Sequence, residues 1–301
     1  VAQHEHQHDE TITATRQLMG EAAPPLPGVR PAPRPATPSA GGEVFVPGGE
    51  VTIGTDLEPW AYDNERPSHT RTVAPFFIDR TPVTNGAFAA FIAAGGYRDR
   101  QWWNDEGWAF VRTEGLAHPQ FWRDEGRGSW SVLRFGTWRD LDPDEPVQHV
   151  NWHEAAAYLA WAGQRLPTEF EWETAATWDG TRKRRWPWGD DDPTAEHANL
   201  GAAYDGPAPA GSYPRGASPW GCEQMIGDVW EWTASDFAPY PGFRSFPYRE
   251  YSEVFFGSGY KVLRGGSWDT HPVTIRPTFR NWDYAIRRQI FAGFRGARDA
   301  T

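Results

Sequence analysis

Two histidines near the start of the chain are spaced for metal binding. They are His4 and His8, in the segment HEHQHDE at residues 4–10. On a helix, residues four apart lie on one face, so the two imidazoles can bind one metal ion. Imidazole suits iron, zinc, copper and nickel, so this spacing predicts a site without choosing the metal. The alternative is a solvated histidine-rich terminus or a tag remnant. The helix-compatible sequence that follows, DETITATRQL, counts against it.

The same segment satisfies the H-E-x-x-H pattern of zinc proteases, with Glu5 between the two histidines. The extended metzincin pattern needs Gly and His at the positions that Thr11 and Ala14 occupy. A proline-rich connector follows, where a third ligand would be required. The sequence therefore disfavours a protease.

Three segments organise the chain. Residues 1–19 are predicted to form a helix, and residues 20–42 a Pro/Ala-rich, semi-rigid connector. Residues 43–301 have the alternating hydrophobic runs and turn residues of a folded domain. The first residue is Val1 and the polar beginning is no signal peptide. We therefore expect a C-terminal piece of a longer enzyme.

Local signals place the elements of this domain. Short strands are predicted at 44–46 and 51–53. Helices are predicted to begin after the capping residues Thr84, Asn151 and Thr168. Residues 98–145 are rich in Trp, Asp and Gly without clear periodicity, and are predicted to be a long insertion with loops.

Composition restricts the function. The 301 residues include 18 Trp, 31 Gly and 27 Pro, which indicates irregular structure held by large aromatic anchors. The net charge of −11 disfavours nucleic-acid or anionic-membrane partners, because phosphate binding needs clustered positive charge. No apolar stretch approaches the roughly 18 residues of a membrane helix. Cys222 is the single cysteine, so no intrachain disulfide can form and a reducing, cytoplasmic compartment is expected.

Several runs in the domain resemble the sulfatase-modifying-factor family, which includes the formylglycine-generating enzyme. They are FFIDRTPVTNGAFAAF (76–91), PVQHVNWHEAAAYLAWAGQRLPTEFEWETAA (146–176), PWGDD (187–191), IGDVWEWTASDF (226–237), VLRGGSW (262–268) and AGFRGAR (292–298). They follow the family's order and span nearly the whole domain. The resemblance implies an α+β fold related to C-type lectins, with little regular structure. Most matching charged and indole groups are expected to tie loops together.

One departure from that family decides the chemistry. Formylglycine-generating members use two cysteines just after the RGGSW segment, and here residues 269–295 contain none. Thiol–copper chemistry of that kind is therefore excluded, and Cys222, which lies upstream, is predicted to be a buried apolar residue. The family also carries calcium through the loop matching QMIGDVWE, which implies Glu231 as a ligand of a structural Ca²⁺.

The spacing of His4, His8 and Glu10, followed by a cysteine-free factor domain, resembles the sulfoxide synthases of ergothioneine and ovothiol biosynthesis. Those enzymes join an N-terminal DinB-like four-helix domain to a sulfatase-modifying-factor-like domain. The ending NWDYAIRRQIFAGFR is most similar to the actinobacterial members. The resemblance implies Fe(II) held by three histidines: His4, His8 and a third in the helical domain upstream of Val1. Glu10 would orient a ligand rather than bind iron.

The resemblance also implies the reaction and its substrates. The sulfur of γ-glutamylcysteine is joined to C2 of hercynine (trimethylhistidine) with O2, giving a sulfoxide. Free cysteine stays open as the sulfur donor. Gln7 can hydrogen-bond an imidazole nitrogen, and the indole of Trp282 can attract a quaternary ammonium group. An ordinary surface turn is the alternative for the segment NWDYAIRR. The predicted substrate-binding residues are Gln7, Asn281, Trp282, Asp283, Arg287 and Arg288.

A tyrosine near the iron serves such enzymes as a proton or hydrogen donor. The tyrosine-rich loop at 239–251 is its expected source, with Tyr248 favoured and Tyr251 and Tyr240 as alternatives. The competing function, from another class, is a non-catalytic factor domain that binds a ligand or partner through a lectin-like surface.

Overall fold

The computed structural model describes residues 2–22, 32–35, 39, 41–257 and 259–300. Much of the predicted connector, at 23–31, 36–38 and 40, lies outside the described residues. The helices are α1 (Ala2–Met19), α2 (Asn85–Ala93), α3 (Asp105–Glu114), α4 (Trp152–Ala162) and α5 (Glu169–Thr177). The strands are β1 (Glu43–Val46), β2 (Gly49–Ile53), β3 (His69–Val73), β4 (Phe76–Asp79), β5 (Trp122–Gly126), β6 (Ser129–Arg134), β7 (Thr137–Asp140), β8 (Trp230–Asp236), β9 (Tyr260–Arg264), β10 (Asn281–Tyr284), β11 (Ala292–Gly293) and β12 (Ala297–Asp299).

The strands form small sheets, so the predicted α+β class is confirmed. One sheet has the order β1-β4-β12 and a second the order β10-β9-β8-β11. Strands β2 and β3 form a hairpin, and β5, β6 and β7 a meander. In the second sheet β11 runs parallel to β8, while the other pairs are antiparallel. Within the described ranges, no helix has the length and apolarity needed to cross a membrane.

The helix starts follow the predicted caps. Thr84 accepts a hydrogen bond from the third residue of its helix, Ala87, at 3.3 Å. Asn151 and Thr168 each begin a capping box, in which the third helical residue is a glutamate whose side chain returns to the backbone of the cap. Such boxes satisfy two N–H groups that a helix start would leave free, which is why these boundaries were readable locally.

Buried arginine–carboxylate pairs join the family segments at the centre of the domain. Arg280 donates to both oxygens of Glu169 at 2.7 and 2.9 Å. Arg295 donates to both oxygens of Glu231 at 2.7 and 2.8 Å, and Trp172 Nε1 adds a bond to Glu231 at 2.8 Å. A cation bound to Glu231 would lie beside a guanidinium group. The structure therefore places Glu231 in an ion pair, and the calcium site stays a prediction.

Residues 98–145 contain more regular structure than the sequence indicated. They hold α3, which Asn104 caps by accepting from Gly107 N at 2.7 Å, and the meander β5-β6-β7. The predicted insertion with loops therefore also contains a helix and three strands that the sequence did not indicate. The burial pattern explains the miss, because β7 is exposed along its whole length and β5 beyond its first residue. Strands without a buried face lack the alternation by which a strand is recognised.

Candidate functional site

The first turns of α1 carry the predicted metal pair. The centroids of the His4 and His8 rings lie 4.6 Å apart, with an angle of 63° between the rings. His4 is half-buried with the Tyr251 ring 6.0 Å away, whereas His8 is exposed. Among the described residues, no cluster of three or more His, Cys, Asp or Glu side chains could hold a metal ion. The structure thus brings two of the three expected ligands together.

Glu10 attaches α1 to the domain. Its carboxylate accepts hydrogen bonds from Trp230 Nε1 at 2.7 Å, Ser267 Oγ at 2.6 Å and Thr270 Oγ1 at 2.8 Å. Burial raises the pKa of this carboxyl, and the three donors oppose the rise. These bonds go to the domain and not to either imidazole, so the predicted orienting role of Glu10 would act through the position of the helix. Position 10 lies about 200° around the helix from His8, so its side chain faces the domain.

A second contact holds the C-terminal half of α1. Gln17 is buried; its Nε2 donates to the carbonyl oxygen of Leu133 at 2.7 Å, and its Oε1 accepts from Phe135 N at 2.7 Å. Ala14, Phe135 and Trp268 belong to a small apolar cluster at the same place. The inserted meander therefore helps to position the helix that carries the histidines.

A cavity of about 530 Å³ lies between α1 and β10. We call it the α1–β10 cavity. Five of the six predicted substrate-binding residues line it, namely Gln7, Asn281, Trp282, Asp283 and Arg287. Apolar side chains complete the wall, among them those of Trp230, Phe279, Ile290 and Phe291. The strand contributes three consecutive residues, Asn281 to Asp283, and the segment after it adds Arg287 and Gln289.

The charged groups of this cavity are Glu10 on α1, Asp283 on β10 and Arg287 in the turn after β10. Arg287 Nε donates to Asp283 Oδ1 at 3.1 Å. Burial raises the pKa of the Asp283 carboxyl, and its hydrogen bonds and Arg287 oppose the rise. Trp282 stacks on Phe237 with 4.2 Å between centroids and has the Tyr251 ring edge-on at 5.8 Å. The cavity thus offers an acid, a guanidinium and a half-buried indole.

Arg288 lies outside the cavity lining. Its Nε and Nη2 donate to the two oxygens of Glu154 at 2.8 and 2.9 Å, and Nη2 also reaches the carbonyl oxygen of His118. Glu154 in turn accepts from the Tyr97 hydroxyl. The structure therefore places Arg288 in an ion pair at the start of α4 and outside this cavity, and its role in substrate binding stays a prediction.

Two of the three candidate tyrosines lie beside His4. Tyr248 and Tyr251 line a second cavity, of about 620 Å³, together with His4. Tyr251 is buried, while Tyr248 is 46% exposed with its ring 6.4 Å from that of Tyr251. Tyr240 is buried elsewhere and donates its hydroxyl to Glu169 at 3.3 Å. The buried ion-pair network thus engages Tyr240, leaving the other two as candidates.

Tyr62 lies at this site although the sequence did not indicate it. Its ring stacks on Tyr251 with 4.4 Å between centroids, and its hydroxyl accepts from Gln7 Nε2 at 2.9 Å. It lies in the loop PWAYDNE, which has neither periodicity nor a motif, so no sequence signal pointed to it. Cys222, in contrast, is fully buried as predicted, and burial raises the pKa of its thiol to about 11.

Comparisons with known proteins agree with this architecture. Residues 29–300 match the sulfatase-modifying factor enzyme 1-like domain. The chain is 54% identical to the hercynine oxygenase of Mycolicibacterium thermoresistibile, over 99% of this chain and 68% of that relative. It is 51% identical to the hercynine oxygenase of Mycobacterium tuberculosis, over 99% of this chain and 70% of the relative.

Among solved structures, PvdO from Pseudomonas aeruginosa has a TM-score of 0.57 at 26% identity. It covers 86% of this chain and 94% of its own. The match of the domain model over most of the chain, together with these relatives, leads to one conclusion. The chain belongs to the sulfatase-modifying factor enzyme 1-like domain family.

Proposed function

We propose that this protein is an iron(II)- and O2-dependent sulfoxide synthase of ergothioneine biosynthesis, joining the sulfur of γ-glutamylcysteine to C2 of hercynine. The observation that carries the proposal is the α1–β10 cavity, because it combines Gln7 of the histidine helix with Trp282, Asp283 and Arg287. The two relatives named hercynine oxygenase, at 54% and 51% identity, support the substrate and the oxygenase class.

The donor set on α1 fits iron. His4 and His8 would hold Fe(II) together with a third imidazole from an N-terminal helical domain, which the described residues do not include. Bound there, Fe(II) would supply the electron exchange with O2. The chain's own contribution is to fix the two imidazoles, and Glu10 and Gln17 do this by attaching α1 to the domain.

The cavity residues match the chemistry of the two substrates. Gln7 is proposed to hydrogen-bond the hercynine imidazole, and the Trp282 indole to lie against its trimethylammonium group, an attraction of about 0.5–2 kcal/mol. Asp283 would pair with the α-ammonium group of γ-glutamylcysteine, and Arg287 would donate to a carboxylate. Arg287 is proposed for this role because it lines the cavity, whereas Arg288 pairs with Glu154 outside it.

The reaction balances with O2 as the oxidant. A thiol S–H and the C2–H bond of hercynine are broken, a C–S bond forms, and the sulfur takes one oxygen atom while the second leaves as water. Tyr248 is proposed to donate a proton or hydrogen atom. It lines the cavity that contains His4, and its exposure lets a reactant reach it. The Tyr251 hydroxyl is less available to a reactant, because it accepts from Gln7 Nε2 at 3.2 Å.

The test is turnover by the full-length protein, including its N-terminal domain, loaded anaerobically with Fe(II). Hercynine, O2 and either γ-glutamylcysteine or cysteine are supplied, and mass spectrometry detects the sulfoxide. His4→Ala and His8→Ala should abolish product. His6→Ala is the matched control, because the His6 ring lies on the same helix but stacks on His271 with 3.8 Å between centroids.

Metal analysis of the same samples should show about one iron per chain, and it also tests the separate expectation of a structural Ca²⁺. Absence of sulfoxide from the loaded wild-type protein would overturn the proposal. Equal loss in all three histidine variants would do the same. Saturable hercynine binding without any product would favour the non-catalytic binding domain instead.

A further inference from the structure

Two stacked tyrosines hold the cavity-facing turn of α1. The Tyr62 and Tyr251 rings lie 4.4 Å apart between centroids and are inclined by only 21°. Gln7 Nε2 donates to the Tyr62 hydroxyl at 2.9 Å and to the Tyr251 hydroxyl at 3.2 Å. A side-chain amide nitrogen carries two N–H groups, so this tyrosine pair uses both. We refer to Tyr62 and Tyr251 as the tyrosine clamp.

The clamp determines which end of the Gln7 amide is available to a ligand. With Nε2 engaged by two phenol oxygens, Oε1 is left as an acceptor on a side chain that lines the α1–β10 cavity. An acceptor at this place selects an N–H group and disfavours a second acceptor. The hercynine imidazole can offer such an N–H from one of its ring nitrogens.

We propose that Tyr62 is a positioning residue for substrate binding: its hydroxyl holds Gln7 so that Oε1 accepts from the N–H of the substrate imidazole. This inference rests on the proposed function and extends it to a residue of the factor domain. The clamp also reaches the metal pair, because the Tyr251 ring lies edge-on to His4 at 6.0 Å. The Tyr251 side chain therefore contacts α1 at two positions, His4 and Gln7.

A buried ion pair, Arg276–Glu65, contacts Tyr62. The Arg276 guanidinium lies 5.3 Å from the centroid of the Tyr62 ring and donates through Nε to Glu65 at 2.7 Å. The same carboxylate accepts from the backbone N of Tyr62 at 2.8 Å. Burial raises the pKa of Tyr62 to about 12, so its hydroxyl stays protonated near neutral pH. A ring that is stacked on Tyr251, contacted by a guanidinium and held at its backbone can orient a neighbour with little loss of entropy on substrate binding.

The test compares Tyr62→Phe with the wild-type full-length protein. The substitution keeps the stacked ring and removes the hydroxyl, so the Gln7 amide loses one partner. KM for hercynine should rise about three- to tenfold, the effect of one neutral hydrogen bond, with kcat changed less than about twofold. In a Gln7→Ala background the same substitution should have no further effect. The matched control is Tyr158→Phe, a buried tyrosine stacked on Phe88 with 5.5 Å between centroids.

Hydrogen exchange of the metal-free protein gives a readout that does not need turnover. Amides of residues 4–11 should exchange faster in Tyr62→Phe than in Tyr158→Phe, because α1 loses a restraint. Equal KM and equal exchange in the two variants would overturn the inference. Absence of wild-type turnover would defeat the proposed function alone, and the exchange comparison would then decide whether the clamp exists.

Discussion

Replacing Glu10 by alanine should release the histidine helix from the domain. The change removes three acceptor contacts and leaves the donors at Trp230, Ser267 and Thr270 buried. The two hydroxyls lie 3.4 Å apart and can bond each other, so the indole N–H is the group that stays unpaired. An unpaired buried donor costs about 1–3 kcal/mol, and the lost packing adds to it. We expect α1 to be held less tightly by about 2–4 kcal/mol.

Glu10→Gln is the conservative comparison. The amide oxygen can still accept from Trp230 and Ser267, which both bond the same carboxylate oxygen, and the amide nitrogen can donate to Thr270. Its cost should stay below about 1 kcal/mol, because the neutral amide keeps these hydrogen bonds and avoids the burial of charge that raises the pKa of the carboxyl. Hydrogen exchange across residues 2–19 measures the docking, and Fe(II) affinity measures its consequence. Unchanged protection of α1 in Glu10→Ala would refute this reasoning, as would equal effects of the two substitutions.

Three further predictions concern the scaffold. Gln17→Ala leaves a buried carbonyl and a buried N–H unpaired, so limited proteolysis should cut α1 faster, at a cost of about 2–4 kcal/mol. Arg295→Lys cannot reproduce the paired bonds to Glu231 and should lower the free energy of unfolding by about 3–5 kcal/mol in urea titrations. Burial lowers the pKa of His149 to about 3, so the unfolded state takes up a proton first as pH falls below 6.5. Stability should therefore fall by about 2 kcal/mol between pH 6.5 and 5, and His149→Asn, which tolerates the φ of 63° there, should lose that dependence.

The chemistry-bearing segments could be predicted from local patterns. The four-residue spacing of His4 and His8 places them together on any helix, whatever the helix packs against. The capping boxes at Asn151 and Thr168 are likewise complete within four residues. The segment around Trp282 was predicted from a family resemblance, and the structure does place three consecutive residues of it in the α1–β10 cavity.

Only the tertiary structure could show which of two adjacent side chains reaches the cavity. Arg287 and Arg288 are adjacent and chemically identical, yet one lines the cavity and the other pairs with Glu154, 134 positions away. The sequence does not distinguish them. In the structure they differ because a turn points successive side chains in different directions. The same limit explains why β5 and β7 in the insertion were missed, because exposed strands have no buried face to generate a pattern.

By itself the sequence determined that two imidazoles share a helix face and that the family's paired cysteines are missing. The tertiary structure decided what holds that helix and what faces it. Glu10 bonds Ser267 across 257 positions, and Gln7 bonds Tyr251 across 244. Contacts at such separations depend on how all intervening elements pack, so they leave no local pattern. They are also the contacts that place α1 against the domain, so that the helix forms one wall of the α1–β10 cavity.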